Sequence, residues 1–319
     1  MRNSQIALAP KLFPYLFGKF KESTPAVCEF DSLENYEMHY TRLAQLLGGG
    51  KSVAPPGEVE FLRSIQNRGT HPGTIDLPEF LFLTAFASII APQRAIEIGT
   101  LAGFSAAVIA AAIHRRHAGK KISFVDTIDR KTRSVIDPSK PVGFQIPEII
   151  PHLPNAVRIH APADSARIRE LARHDELEFV FIDGDHQHPR PLLDLLRFAP
   201  YMRSDGWILL HDITLGSMGV AAENRGETLP YRPSFGAEWL FAAWPFRKIS
   251  NANIGAIQMP GKKPAIIPMA LRLMKLPFEM SVSSHPKIQR ALDESIVELL
   301  TEAPNGKSKI RQKRYLFGV

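Results

Sequence analysis

Short apolar segments alternate with longer helix-like segments between residues 94 and 212, and this alternation limits the possible folds more than any other feature. Strands that are joined by helices form right-handed crossovers, so the pattern predicts a parallel sheet with helices on both faces. The predicted strands cover residues 94–99, 121–125, 157–160, 178–182 and 206–210. The predicted helices between them cover residues 105–113, 165–173 and 192–202.

Two further strands are predicted at residues 246–250 and 254–259, close enough in sequence to form an antiparallel pair at the sheet edge. With the five inner strands they make a mostly parallel sheet of seven strands. The chain is therefore predicted to be an α/β protein with a Rossmann-like sheet. We expect a helical N-terminal extension or lid at 1–75, the sheet domain at 76–262, and a helical C-terminal extension with a basic tail at 263–319.

Helical signals flank the alternating region. Asp76 and Glu79 have the spacing of a capping box and predict a helix over 80–90. Apolar residues three and four positions apart predict further helices at 33–47 and 286–302. The last of these helices is predicted to pack on the sheet domain, although a dimer face or a cover over the site stays open. Its apolar stripe consists of Ile288, Leu292, Ile296 and Leu299.

The net charge of +7 is uneven, since residues 305–319 contain five basic residues and no acid. No aromatic-interleaved basic surface or nucleic-acid motif accompanies this tail, so we interpret it as a solvated terminus and predict no nucleic-acid partner. No apolar run reaches the roughly 18 residues of a membrane span. Residues 1–20 lack the continuous apolar core of a signal peptide.

One cysteine, Cys28, cannot form an internal disulfide and is predicted to be a small buried residue. Nothing in the cysteine content indicates secretion, so we predict a cytoplasmic protein. The oligomeric state stays open, with a homo-oligomer among the possibilities.

Polar side chains, most of them acidic, follow the predicted strands. In an open parallel sheet, ligands bind outside the carboxyl ends of the strands. We therefore expect these side chains to belong to one site. They are Glu97, Asp126, Asp164, Asp183, Asp185, His186, His211 and Asp212.

The loop after the first of these strands indicates the kind of ligand. Gly99 and Gly103 allow a tight turn and a close approach of the backbone to a ligand. Glu97 occupies the first glycine position of the dinucleotide fingerprint, where a carboxylate would repel a pyrophosphate. The loop therefore favours a phosphate-free, positively charged nucleoside such as S-adenosylmethionine. An NAD-dependent oxidoreductase is a disfavoured alternative.

Three segments resemble class I S-adenosylmethionine-dependent methyltransferases. E-I-G-T-L-A-G-F-S (97–105) is similar to their motif I, and F-I-D-G-D-H (181–186) and G-W-I-L-L-H-D (206–212) follow in the expected order. The last two segments are most similar to the macrolide-sugar and cephalosporin-biosynthesis-type O-methyltransferases. The resemblance covers residues 77–260 and implies the class I methyltransferase fold.

The resemblance also implies which residues bind the cofactor. Glu97, Gly99 and Gly103 would surround its methionine part, and Asp126 would accept hydrogen bonds from the ribose hydroxyls. Asp129 is a rival for the ribose role, because it lies in the same loop. Asp164 and Ser165 would contact the adenine, although a helix N-cap explains them equally well. Thr100, Ser105 and Asp183 complete the predicted cofactor-binding set.

The resemblance further implies a catalytic side. Related enzymes hold a divalent cation, usually magnesium, on acids after the fourth and fifth strands, and Asp183, His211 and Asp212 stand at those positions. His186 stands three residues after Asp183, where the sugar O-methyltransferases have a base. His211 departs from the acid usual there, and imidazole suits manganese, iron or zinc better than magnesium. A different metal, a site completed by Asp185, and no metal therefore all stay open.

The predicted function is O-methylation of a small-molecule or sugar hydroxyl, with His186 and Asp183 as catalytic residues. A non-catalytic methyltransferase-like binding protein is the alternative from another class. Residues 1–75 and the predicted loop 214–235 are expected to choose the acceptor. Trp239 and Trp244 are predicted to pack in the core, while Tyr231 is a candidate acceptor contact.

Overall fold

The computed structural model describes residues 23–49, 52–68, 75–117, 124–229 and 232–301. Within them the strands form a single sheet of eight strands, in the order β1-β7-β8-β6-β5-β2-β3-β4. The strand β8 runs antiparallel to both of its neighbours, and all other pairs are parallel. The strands are β1 (Ala26–Val27), β2 (Arg94–Ile98), β3 (Phe124–Ile128), β4 (Val157–His160), β5 (Leu177–Ile182), β6 (Met202–His211), β7 (Lys248–Asn251) and β8 (Ile254–Gln258).

Helices cover both faces of this sheet, and the core is divided between the faces accordingly. The helices α1 to α5 pack on one face, and α6, α7 and α9 to α11 pack on the other. The N-terminal helices are α1 (Tyr36–Leu46), α2 (Glu58–Ile65), α3 (Leu77–Ile90), α4 (Phe104–Arg116) and α5 (Ile146–Ile149). The others are α6 (Ile168–Leu171), α7 (Arg190–Phe198), α8 (Leu215–Asn224), α9 (Gly236–Ala243), α10 (Ile267–Leu273) and α11 (His285–Thr301).

This architecture confirms the predicted fold class, an α/β Rossmann-like fold with a mostly parallel sheet and helices on both faces. The departure is the eighth strand, β1, which pairs in parallel with β7 and extends the sheet beyond the predicted edge. The Cys28 amide donates to the Ser250 carbonyl at 2.8 Å and prolongs this pairing. The N-terminal region is therefore not purely helical.

Several local predictions are confirmed. The capping box at Asp76 and Glu79 starts α3, whose residues are buried over most of their length. Cys28 is buried, and both Trp239 and Trp244 pack in the core. The apolar stripe of α11 is also buried, and it packs on the sheet domain, with α7 as its neighbour.

Other local predictions are wrong. The strand β3 continues to Ile128, so that Asp126 lies in the middle of the strand instead of at its end. The predicted loop 214–235 contains the helix α8, and Met202 begins β6 instead of ending a helix. The helix expected at 165–173 is a 3-10 turn at Ser165–Arg167 followed by the single turn α6.

Some predicted features lie outside the described residues, namely Tyr231, the basic tail 305–319 and the segment 1–20. Among the helices that the structure does describe, none combines the length and the apolar character needed to cross a bilayer.

Candidate active site

A cavity of about 450 Å³ opens at the carboxyl ends of β2, β3 and β5. Five of the residues predicted to bind the cofactor or to be catalytic line it, and a narrower pocket that holds three more adjoins it at the glycine loop. Those in the main cavity are Gly99, Asp164, Ser165, Asp183 and His186. Those in the narrower pocket are Thr100, Gly103 and Ser105.

The glycine loop brings the ends of β2 and β5 into backbone contact. Gly99 has φ +101°, and a Cβ atom there would lie 1.9 Å from the Asp183 carbonyl oxygen. The Asp183 amide donates to the Ile98 carbonyl at 2.8 Å, which fixes this approach. Gly103 has φ +87° at the start of α4, where a side chain would strike Ile146. Only glycine fits either position, because a Cβ atom there would collide with neighbouring protein atoms.

Glu97 is fully buried behind this loop and lines neither pocket. The hydroxyls of Ser105 and Thr127 donate to its two carboxyl oxygens at 2.5 Å each. Burial raises the pKa of Glu97 to about 8, although both hydroxyls oppose that rise. The side chain therefore supports the glycine loop from below and is not itself placed to touch a ligand.

The two candidate ribose acids lie in different surroundings. Asp126 is fully buried and contacts three basic side chains: Arg94 Nε at 2.7 Å, His160 Nε2 at 2.8 Å and Arg158 Nε at 3.1 Å. It does not line the cavity, because β3 extends past it. Asp129 follows the strand and lines the cavity beside Gly99. Of the two candidate acids, only Asp129 faces the cavity, so the position of Asp126 corrects its predicted place in the site.

Asp129 is held in place by the backbone. Its Oδ2 accepts from the Leu101 amide at 3.1 Å, and its Oδ1 accepts from the Lys131 amide at 2.8 Å. The first bond ties the acid to the glycine loop across the cavity floor. A carboxylate oxygen has two acceptor positions, so Asp129 keeps capacity for hydroxyl donors from a ligand.

The opposite end of the cavity combines a helix cap with a buried polar cluster. Asp164 accepts from the Ala166 amide at 2.9 Å, which is the predicted alternative of an N-cap, and it also lines the cavity. The Ser165 hydroxyl donates to Asp194 at 2.5 Å and accepts from Arg197 at 2.8 Å. Burial raises the pKa of Asp194 to about 6 against the effects of Ser165 and nearby arginines.

The predicted catalytic residues meet at the ends of β5 and β6. The Nδ1 atom of His186 lies 3.1 Å from Asp212 Oδ2, and its Nε2 atom lies 3.9 Å from Asp183 Oδ1. The side-chain amide of Asn253 donates from Nδ2 to Asp212 Oδ1 at 2.6 Å. Asp212 has φ +61°, a conformation that β6 and its neighbours must hold against its intrinsic preference. Asn253 therefore fixes the acid that orients His186.

His211 is buried and contacts two carboxylates. Its Nε2 lies 3.0 Å from Glu79 Oε2, and its Nδ1 lies 3.0 Å from Asp183 Oδ1. Burial opposes a charge on this ring, but Asp183, Glu79 and Asp212 outweigh it and raise the pKa of His211 well above its usual range. Both nitrogens donate, so the ring is an imidazolium that neutralises the buried acids.

The side chains that could hold a metal ion are therefore Asp183, His186 and Asp212. Their ligand atoms all lie within 4.8 Å of one another. His211 has no free nitrogen for a metal, which corrects the predicted ligand set. Two carboxylates and an imidazole suit manganese, iron or zinc as well as magnesium. The donor set fits a divalent cation, although Asp212 and His186 also satisfy each other directly.

Sequence reasoning missed several residues that shape the site. Glu79 was expected only as a helix cap, and Asn253 and Arg197 carried no motif. Their partners lie far away in sequence, so that only the assembled sheet brings them together. Asp185, one of the expected strand-end acids, lines the cavity and binds Arg130 Nη2 at 2.7 Å.

Comparison with known proteins agrees with this class of fold. Residues 96–213 match the family model described as a methyltransferase domain. The match begins in β2 and ends just after Asp212, so it contains all the cavity-lining residues named above. The match covers this part of the Rossmann-like sheet, from within β2 to the end of β6. None of the proteins with curated descriptions is matched by the sequence.

Three solved structures illustrate the similarity. The O-methyltransferase TomG from Streptomyces achromogenes, in complex with SAM, is 14% identical, with 72% of this chain and 100% of that chain covered at a TM-score of 0.42. The O-methyltransferase from Bacillus cereus in complex with SAH is 18% identical, with 71% of this chain and 100% of that chain covered at a TM-score of 0.41. A putative caffeoyl-CoA O-methyltransferase from Staphylococcus aureus is 16% identical, with 70% of this chain and 100% of that chain covered at a TM-score of 0.45.

Proposed function

We propose that this protein is an S-adenosylmethionine-dependent methyltransferase that methylates a hydroxyl group of a small molecule or sugar. The observation that carries the proposal is the position of the Asp183, His186 and Asp212 cluster beside the glycine loop. A tight nucleoside-binding loop and a candidate proton acceptor thus face the same cavity. The predicted location stays the cytoplasm, where an unpaired thiol such as Cys28 is ordinary.

The cavity residues fit a phosphate-free nucleoside. Gly99 and Gly103 would lie against the methionine part, and Asp129 would accept from the ribose hydroxyls. Asp164 and Ser165 would face the adenine. Bound S-adenosylmethionine supplies an electrophilic methyl group on a sulfonium centre. Two acids that line the cavity, Asp129 and Asp183, favour that positive charge.

His186 is oriented to take the acceptor's proton. Because Asp212 accepts the Nδ1 hydrogen at 3.1 Å, the Nε2 atom presents its lone pair. That atom would receive the hydroxyl proton as the acceptor oxygen bonds to the methyl carbon and the carbon–sulfur bond breaks. The protein would then hold the acceptor oxygen, the methyl carbon and the sulfur nearly in line.

A divalent cation would be held by Asp183, His186 and Asp212, and it would lower the pKa of the acceptor hydroxyl. His186 cannot bind such an ion through its lone pair and also accept the proton with it. The cation-assisted and the general-base routes are therefore alternatives. They differ in whether turnover requires added Mg²⁺ or Mn²⁺.

Titration calorimetry with S-adenosylhomocysteine and with NAD tests the cofactor assignment. We expect S-adenosylhomocysteine to bind and NAD not to bind, because the loop at 97–103 departs from the glycine pattern of the dinucleotide fingerprint. Binding of NAD alone would overturn the proposal.

Transfer is tested with methyl-labelled S-adenosylmethionine and a panel of hydroxylated sugars and aromatic alcohols, with and without Mn²⁺. We expect label on an oxygen of one acceptor class and at least a hundredfold loss in His186→Ala. Cofactor binding without transfer to any member of the panel would favour a non-catalytic binding protein.

A further inference from the structure

The C-terminal segment reaches back to the loop that carries His186. The Glu279 amide donates to the His188 carbonyl at 2.9 Å, and the His188 amide donates to Glu279 Oε2 at 2.6 Å. Both backbone groups of His188 are thus bound by one residue, which lies about ninety positions further along the chain. This contact fixes the backbone two residues after His186.

The same carboxylate also binds a second loop. The Phe235 amide donates to Glu279 at 3.0 Å for Oε1 and 3.1 Å for Oε2. Phe235 follows Ser234, which lines the cavity across from His186. The two loops touch directly as well, because the Gly236 amide donates to the His186 carbonyl at 3.0 Å. Glu279 therefore lies at the junction of two cavity loops.

The ring of His188 strengthens this junction. It is buried between Trp239 and Phe278, with ring centroids at 5.1 and 5.8 Å. Its Nε2 hydrogen donates to the Leu273 carbonyl at 3.0 Å. The C-terminal segment thus holds His188 by its backbone and by its side chain.

We propose that Glu279 is a positioning residue whose carboxylate ties the His186 loop to the Ser234 loop and so fixes the reacting side of the cavity. The naming of a reacting side rests on the proposed function, whereas the tie between the loops rests on the contacts alone. Glu279 lies beyond the matched range 96–213. The C-terminal extension is then part of the site and not only a cover on the sheet.

Hydrogen exchange of the full chain tests the tie directly. In Glu279→Ala we expect exchange to rise at least tenfold in peptides covering 186–189 and 234–237, since the hydrogen bonds from the His188 and Phe235 amides to this side chain are lost. Glu279→Gln keeps an acceptor oxygen and should restore exchange to within about threefold of the natural protein. Glu279→Asp keeps the charge but is one methylene shorter, and should resemble the alanine variant.

Glu298→Ala is the matched control. Glu298 belongs to the same extension and binds Arg169 at 2.7 Å and the Tyr201 hydroxyl at 3.3 Å, neither of which lies in the two loops. We expect no change in exchange at 186–189 or 234–237 in this variant. Unchanged exchange in both Glu279→Ala and Glu279→Asp would overturn the proposal. So would faster exchange through the central strands, or failure of glutamine to restore protection.

The effect on the reaction is a separate readout. With S-adenosylmethionine and an acceptor from the panel, Glu279→Ala should lower kcat at least tenfold and leave the KM for S-adenosylmethionine within about twofold, because the cofactor loop is not touched. A rise in that KM with kcat unchanged would contradict the positioning role. If the chain binds no S-adenosylhomocysteine, the proposed function fails, and hydrogen exchange still decides the tie.

Discussion

The Nδ1 atom of His211 lies 3.0 Å from Oδ1 of Asp183, so a buried imidazolium fixes the acid at the end of β5. The other ring nitrogen is bound by Glu79, which also caps α3 through the Asp76 amide at 2.8 Å. One helix cap thereby extends into the site. His211 therefore holds Asp183 on the side away from the cavity, while the other side of Asp183 stays open to the cavity.

Removing His211 should destabilise the fold strongly. His211→Ala leaves Glu79 buried and Asp183 half-buried without their cation, so we expect a loss of about 3 kcal/mol in the free energy of unfolding. Urea denaturation measures it. His160→Ala is the control, because its partner Asp126 keeps Arg94 and Arg158; there we expect a loss below about 1 kcal/mol. Equal losses in the two variants would contradict the neutralising role.

Substitutions of the two candidate ribose acids should have different effects, one on cofactor affinity and the other on the stability of the fold. Asp129→Asn should weaken S-adenosylhomocysteine binding about tenfold, since one charged acceptor is lost. Asp126→Asn should leave that affinity within about twofold and lower stability by about 2 kcal/mol, because its cations lose their charge partner. Calorimetry and urea denaturation measure the two effects. Weaker binding in Asp126→Asn together with unchanged binding in Asp129→Asn would instead indicate that Asp126 contacts the cofactor.

The misplaced Asp126 shows what the sequence could not reveal. The alternation of apolar segments identified β3, and the sheet, the order of elements and the glycine loop were all predictable from such local patterns. The end of β3 was not predictable, because a buried acid inside a strand is stable only with partners. Those partners are Arg94 and His160 on neighbouring strands, and the local sequence around Asp126 does not predict that they contact it.

The other misses have equally physical causes. The strand β1 has two residues, too few to show a period. The helix α8 was interpreted as loop because of its glycines, yet a Cβ atom at Gly216 would lie 2.3 Å from the Phe235 ring. Glycine is needed there for close packing and not for a turn. The role of Glu79 depends on a partner 132 positions away.

The glycine loop should tolerate no side chain at its first glycine. In Gly99→Ala the Cβ atom would collide with the Asp183 carbonyl, so either β2 or β5 must move. We expect S-adenosylhomocysteine binding to fall at least thirtyfold and the thermal midpoint to drop by several degrees. Gly226→Ala is the matched control, with φ +79° and no atom within 4 Å. This variant should lower the free energy of unfolding by about 1 kcal/mol and leave S-adenosylhomocysteine binding unchanged. A similar loss of affinity in both variants would contradict the close approach.

A buried acid away from the site should make stability depend on pH. The Glu58 carboxyl accepts from the Tyr36 hydroxyl at 2.7 Å, and its other oxygen has no partner. Burial raises the pKa of Glu58 to about 7, above the 4.5 of an unfolded chain. Between these values the folded state binds the proton and the unfolded state does not, so stability falls as pH rises from about 4.5 to 7.

The size and origin of this effect can be measured with a substitution. The shift corresponds to about 3 kcal/mol, which Glu58→Gln should abolish because the amide carries no charge. We therefore expect urea denaturation to show the variant gaining stability over the natural protein as pH rises, with the difference constant above about pH 7. Glu60→Gln, on the exposed side of the same helix, should show no such change. A parallel pH profile for the natural protein and Glu58→Gln would mean that Glu58 stays charged throughout, stabilised by Arg115 and Arg116.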